Sequence, residues 1–270
     1  AGQLAGNGKT SLLIGLRVPI SWRTTEKSVI KGGCHLLRQK NLPFKYYKRH
    51  INIRTYLFMT KKQAIAIITK SAKQYHQYLE GNQVVFVYHD EYNHSSYTAV
   101  RFRSHNFLHF TGVIPKHGMN ANGFYRAALN SRLSEHDFSF KNNHTTELKL
   151  QILNIIMNID TKARMIGKYV GPHLELYTEK VTGTTSACLG LLQTEDYYIP
   201  NSVLSEDIRS IVPKPPGKIY AIFKKPINAP LYTKLTYKAK NISITKKYLP
   251  KELLEEIDDS LFEGNDNEQV

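Results

Sequence analysis

The order in which hydrophobic periods succeed one another constrains this chain more than any single motif does. Over residues 59–79, Ile65, Ile68, Ala72, Tyr75 and Leu79 recur at three- and four-residue spacing with lysines opposite, the stripe of an amphipathic helix. The period then shortens to two. QVVFVYHD (83–90) and YTAVRFRSHNFLHFTGV (97–113) are β-rich runs joined by the polar EYNHSS, the pattern of a hairpin. GFYRAALN (123–130) reads as a short helix and DFSFK (137–141) as a short strand. A long amphipathic helix follows: Thr145 or Thr146 caps it, Glu147 suits its positive end, and Leu148, Ile152, Ile155, Ile159, Ala163 and Ile166 mark its stripe. Four β-like runs come next, at 173–183, 186–194, 197–204 and 217–225, with LYTKLTYKAK (231–240) as a closing helix. Helices first and an antiparallel meander after them make an α+β protein.

Residues 1–58 share none of this patterning. They hold one acid, Glu26, against eleven Lys and Arg, and the only Trp, Trp22. The first Met of the chain is Met59. Residues 1–58 are therefore expected to be a basic extension, disordered or not native, with the folded unit at 59–240 and an acidic tail at 241–270. AGNGKTS (5–11) in the extension is not a P-loop, because the Gly required at position 3 is Gln3 and no strand precedes it.

Charge points to the partner. After Pro250 the chain carries eight acids and one base, so residues 1–250 hold 36 Lys and Arg against 14 Asp and Glu. A surplus of that size suits a polyanion, nucleic acid above all. Cys34 and Cys188 cannot make a disulfide framework, which fits a reducing cytoplasm. No apolar run approaches the roughly 18 residues of a membrane span. The eleven histidines form no HExxH, no paired CxxC accompanies them, and GxSxG is absent, so neither a metal site nor an acyl-transfer serine is expected.

What remains is a set of basic and hydroxyl groups on the expected sheet. Alternation in LYTEKVTG places Thr178, Lys180 and Thr182 on one face, a row of donors, and Glu179 on the other. Lys224 and Lys225 end a strand, and Arg209 stands beside Asp207 near a sheet edge. Each reads equally well as an ordinary solvated charge. His109 interrupts an apolar run that reads as a strand, where a histidine is more often a satisfied core group.

The succession NFLHFTGV, FYRAALNSRLSEHDFSF, TTELKLQILNIIMNI, ARMIGKY, LYTEKVTG, LGLL, YYIPNSVLSEDIR and IYAIFKK, within residues 59–240, resembles phage-associated nucleases of the barnase–EndoU–colicin–RelE superfamily. More narrowly, it is similar to the fourth phage and mobile-element group of that superfamily. The resemblance implies N-terminal helices on a four-stranded antiparallel sheet, with the 83–113 hairpin as an addition. It also implies a cytoplasmic ribonuclease without metal or other cofactor, whose 2′-hydroxyl attack leaves a 2′,3′-cyclic phosphate. Its partners would be RNA, such as tRNA or mRNA, and a cognate immunity protein. In that light His109 becomes the acid–base residue, Lys180, Thr178 and Arg209 share the catalytic site, and Thr111, Thr182, Lys224 and Lys225 bind phosphate. Tyr125 and Tyr177 would stack on bases. No glutamate stands where barnase has its general base, since Glu179 points away from the donor row. A non-catalytic nucleic-acid-binding protein and an interaction module for an acidic partner are the alternatives.

A chain beginning at Met59 is expected to melt within a few degrees of the full chain. A larger drop in Tm would show that residues 1–58 pack on the domain.

Overall fold

The computed structural model describes residues 59–171 and 177–263. The basic N-terminal stretch and residues 173–176 of the run at 173–183 lie outside the described residues. Helix α1, Lys61–Tyr78, begins at a capping box in which Thr60 and Gln63 satisfy each other's backbone amides, and it buries Ala64, Ile68, Ala72 and Tyr75. Strands β1, Asn82–His89, and β2, Ser95–Arg101, form the expected hairpin.

Beyond Arg101 the structure departs from the alternation. The run expected to continue as a strand is instead helix α2, Asn106–Thr111. Phe107, Phe110 and Thr111 are buried at helical spacing, and His109 is left on the outer side. Apolar residues at 107, 108, 110 and 113 fit either period, and a short run cannot choose between them. Strands β3, Ile114–Pro115, and β4, Phe138–Ser139, make a separate small sheet around helix α3, Ala121–Leu129.

Helix α4, Thr145–Ile156, is shorter than the period suggested, and its buried face is broader than the expected stripe. Of that stripe Ile152 is buried within the helix and Ile159, Ala163 and Ile166 beyond its end, whereas Leu148 is 46% exposed. Thr146, Leu150, Leu153 and Ile156 are buried as well, because the helix packs against both the sheet and α2. A short helix α5, Ile159–Lys162, leads into β5, Met165–Lys168.

Strands β6, Lys180–Gly183, β7, Cys188–Gln193, and β8, Tyr198–Leu204, form an antiparallel meander, whereas the fourth expected run, β9, Gly217–Pro226, pairs with β5 instead of continuing it from β8. The sheet is not four-stranded. It has eight strands in the order β1-β2-β8-β7-β6-β5-β9-β10, with one parallel junction between β2 and β8. Because β1 also pairs β9 along its whole length, the first seven strands form a closed circuit of pairings. The hairpin is thus no appendage. Its first strand, NQVVFVYH, is buried on both faces and needs partners on both edges. Strand β10, Lys234–Lys238, replaces the expected closing helix, and its leucine, threonine and tyrosine suit an edge strand bounded by lysines.

Two buried clusters sandwich the β1–β9 region. Val84, Phe86 and Ile222 face the helices, whereas Val85, Val87, Ala221 and Phe223 face the C-terminal segment. That segment, expected as a solvated tail, contributes Leu249, Leu253 and Ile257 to the core and contains helix α6, Lys251–Leu254. Its acids also find cations, in the pairs Lys225–Glu256, Lys246–Asp259 and Lys238–Glu263. No helix among the described residues is long and apolar enough to cross a membrane.

Leu253→Ala should destabilise the domain by about 2–5 kcal/mol in urea unfolding. A loss below about 0.5 kcal/mol, the usual effect of an ordinary surface change, would return the segment to the role of a tail.

Candidate active site

The site begins at the seam of the circuit. Strands β2 and β8 pair only at Val100 and Tyr198. Past that point helix α2 covers the edge of β8, and Asn106 Nδ2 donates to Pro200 O at 3.2 Å. Here β8 also carries a bulge, with Gly190 opposite Ser202 and Leu191 opposite Pro200, so that Asn201 is the extra residue. A bulge re-aims side chains out of the ladder. Asn201 Nδ2 donates to Tyr177 O at 2.6 Å, and Thr178 Oγ1 donates to Asn201 Oδ1 at 3.1 Å. A side chain at position 190 would come within 3.0 Å of both Thr178 and Asn201, so glycine makes room for this pair.

Helix α4 supplies the other wall. Lys149 lies four residues before buried Leu153 and so shares the edge of its stripe. Its ammonium donates to His109 O and to Ser202 Oγ, each at 3.0 Å. The stem crosses Gly112, which ends α2 at φ 68°. A Cβ there would lie 2.7 Å from Lys149 Cδ. Thr146 ties the two elements together: its hydroxyl donates to Gly112 O at 2.8 Å and accepts from Lys141 N at 3.0 Å. The result is an open pocket of about 240 Å³ lined by Leu108, His109, Gly112, Val113, Lys141, Lys149, Asn201 and Ser202.

The lining includes two lysines, a histidine and three further polar or backbone-bearing positions, and no carboxylate. That imbalance acts on its own members. Burial, and then the charge of Lys141, lowers the Lys149 pKa to about 8. Partial loss of water lowers the pKa of His109, and Lys149, His105 and Lys141 add to the effect. At neutral pH the histidine is therefore mostly neutral and the lysine mostly charged. The pocket therefore sets a charged ammonium beside a neutral imidazole.

Of the residues singled out in the sequence, the structure brings His109 into the lining, while Thr178 and the Tyr177 carbonyl reach it only through Asn201. Tyr177 is 84% exposed. The others are occupied elsewhere. Thr111 is fully buried, and its hydroxyl donates to Leu108 O at 2.8 Å. Lys180 donates to Thr98 Oγ1 at 3.2 Å and lies 4.7 Å from the centre of the Tyr198 ring, while the Thr182 hydroxyl donates to Met165 O. The three members of the expected donor row thus serve three different neighbours. Lys224 is held by Asp160 at 2.6 Å and by Tyr78 O, and Lys225 by Glu256 at 2.6 Å and Pro230 O. Neither is available to a phosphate without breaking an ion pair, nearly buried for Lys224 and Asp160 and open on the Glu256 side for Lys225. Tyr125 packs on Tyr75 and Phe107 and donates to Glu80 Oε2 at 2.8 Å, a core role rather than a stacking surface. Arg209 lies on a short 3-10 turn, Ile208–Ser210, its guanidinium forked onto Asp207. It lines a different, open depression with Lys214, Pro215 and Pro216.

Lys149 is the residue that the sequence reading missed. It falls on no expected stripe, and only the packing of α4 against α2 and β8 turns it inward. Among the described residues no group of three or more His, Cys, Asp or Glu side chains could hold a metal ion.

An α+β fold thus carries, at a sheet seam, a pocket lined by two lysines and a histidine, a lining suited to anionic groups such as a phosphodiester. The chain is more than that: residues 67–241 match the family described as phage-Barnase-EndoU-ColicinE5/D-RelE like nuclease4, and it belongs to that nuclease family. No curated protein and no solved structure matches the chain.

Gly112→Ala and Gly118→Ala separate backbone strain from the contact with Lys149. Both glycines have positive φ, 68° and 67°, but nothing lies within 4 Å of a Cβ at 118. Each substitution should cost about 1–2 kcal/mol in left-handed strain, and Gly112→Ala measurably more in urea unfolding. Equal losses would mean that the Lys149 stem yields freely at this crossing.

Proposed function

We propose that this nuclease cleaves RNA at the α2–α4–β8 pocket, by attack of a 2′-hydroxyl on the adjacent phosphate to leave a 2′,3′-cyclic end. The observation that carries the reading is the pocket itself: His109 beside Lys149 and Lys141, with Asn201 and Ser202, and no carboxylate in the lining. The scissile phosphate takes the place of the missing counter-ion. His109, with its pKa lowered by burial and neighbouring cations, is a proton acceptor at neutral pH. Lys141 and Lys149 supply positive charge where the phosphorane gathers negative charge. Tyr177, exposed and anchored through its carbonyl by Asn201, offers a ring on which a neighbouring base stacks.

This arrangement differs from the donor row expected along LYTEKVTG, in which Lys180 was the principal cation. Thr178 remains at the site through Asn201. The chemistry needs no metal, since cations and a proton acceptor are already in place. A role in conflicts between mobile elements and their hosts, in the cytoplasm, with a neutralising immunity partner, fits a phage-associated nuclease family.

The test is cleavage of labelled RNA in EDTA with analysis of the ends. Activity should persist and leave 2′,3′-cyclic phosphates. His109→Ala should lower the rate by about 10²–10⁴ while RNA still binds. An oligomer with a single 2′-deoxyribose at the scissile position should bind and resist cleavage. Rapid cleavage of that oligomer, or activity only with added Mg²⁺, would remove the mechanism.

A further inference from the structure

Among the described residues five lysines, Lys61, Lys149, Lys180, Lys224 and Lys225, are partly or fully withdrawn from solvent, and they differ in their partners. Lys224 and Lys225 each meet a carboxylate, Asp160 or Glu256, at 2.6 Å. Lys149 meets only two neutral oxygens, His109 O and Ser202 Oγ. Drawing a charge out of water without an opposite charge costs stability, so such a group needs another reason to be there. Anion binding is one reason, but Lys141 in the pocket lining already supplies an exposed cation. The position of Lys149 is far more restricted. Its stem is laid across Gly112, and two of its three N–H bonds are committed to α2 and β8, leaving one N–H to point at a bound group.

We infer that Lys149 is the general acid of the cleavage reaction, donating its proton to the leaving 5′-oxygen while His109 accepts the proton of the 2′-hydroxyl. This assignment rests on the proposed ribonuclease reading and adds a second proton-transfer group to it. The step balances as follows. An imidazole nitrogen of His109 takes the 2′-hydroxyl proton, and the O2′ electron pair forms the new bond to phosphorus. The P–O5′ bond breaks, its electron pair leaves on O5′, and that oxygen takes one proton from Lys149 Nζ. The products are a 2′,3′-cyclic phosphate, a free 5′-hydroxyl, an imidazolium and a neutral amine. Exchange with water returns the proton from His109 and restores Lys149, with no co-reactant consumed.

The resting protonation of the pocket is the one that this division of labour requires. His109 must be neutral, and its pKa is lowered; Lys149 must be charged, and its pKa is about 8. The reverse assignment would draw on the minority forms of both groups. Activity should therefore fall below the lowered pKa of His109, where the base is protonated, and again above about pH 8, where the acid has lost its proton.

The experiment compares two substrates in the full chain. One is a natural RNA dinucleotide. The other has sulfur in place of the bridging 5′-oxygen, a leaving group that departs as a thiolate without a proton. Lys149→Met keeps the stem across Gly112 and removes only the charge, so its Tm should match or exceed that of the parent protein. On the natural dinucleotide Lys149→Met should be slower by about 10²–10⁴, and on the sulfur-bridged one by less than about tenfold. The alkaline limb near pH 8 should disappear from its profile. His109→Ala should be slow on both substrates, because each still needs its 2′-hydroxyl deprotonated. Equal losses for Lys149→Met on the two substrates, or an unchanged alkaline limb, would overturn the acid role and leave cleavage standing. Failure of the parent protein to cut either substrate would overturn the ribonuclease reading and this inference with it.

Discussion

Everything in this structure depends on β1 being paired on both edges and buried on both faces. Its eight residues match β2 on one side and β9 on the other. Val84 and Phe86 pack beneath the helices, and Val85 and Val87 pack beneath the C-terminal segment. A strand of this kind cannot be an appendage to a smaller sheet, because each open edge would leave backbone donors and acceptors without partners in an apolar setting. Pairing with β9 joins hairpin to meander and draws the sheet into a closed circuit. Closure then leaves one weak point, the β2–β8 junction with its single pair of residues. The pocket is at that point.

The seam explains why the candidate site draws on three elements remote in sequence. A continuous strand pair would have filled the edge of β8 with a ladder. Instead β2 ends, α2 lies across the gap, and the bulge at Asn201 turns a polar side chain outward. Helix α4 then delivers Lys149 from the far side, and Thr146 fixes the approach by bonding both Gly112 and the start of the Lys141 loop. Together these features hold open, at the surface, a space that the rest of the fold would otherwise close.

Much of the architecture was legible from the sequence because period and turn chemistry agreed. The α1 stripe, the 83–101 hairpin and the runs that became β7, β8 and β9 all carry strong local signals. The errors share a physical cause. In the run 104–113, in 148–166 and in 231–240 the apolar residues fit more than one period, and only tertiary packing decides among them. The acidic C-terminal segment misled for a different reason. Its charge suggested solvation, but Leu253 and Ile257 fit a half-covered face of β1 and β9, and Glu256 meets a lysine already there. For the site the same limits hold: His109 stands out by its residue type whichever element carries it, whereas Lys149, at the margin of the α4 stripe, has no local signal and depends on α2 and β8 for its place.

The contrast among the inward-turned lysines links fold to chemistry. Lys224 and Lys225 are adjacent in sequence and point to opposite faces of β9, and each ends on a carboxylate supplied by a segment packed on its face. They act as clasps between layers. Lys149 occupies a comparable depth with neutral partners only, and a fold that neutralises two such lysines leaves this one uncompensated. Its lowered pKa records that cost, because deprotonation relieves it. A bound phosphate would relieve it as well, without deprotonation. The same charge that weakens the empty pocket therefore strengthens the occupied one, and a group held near the boundary between its two protonation states is suited to give up a proton.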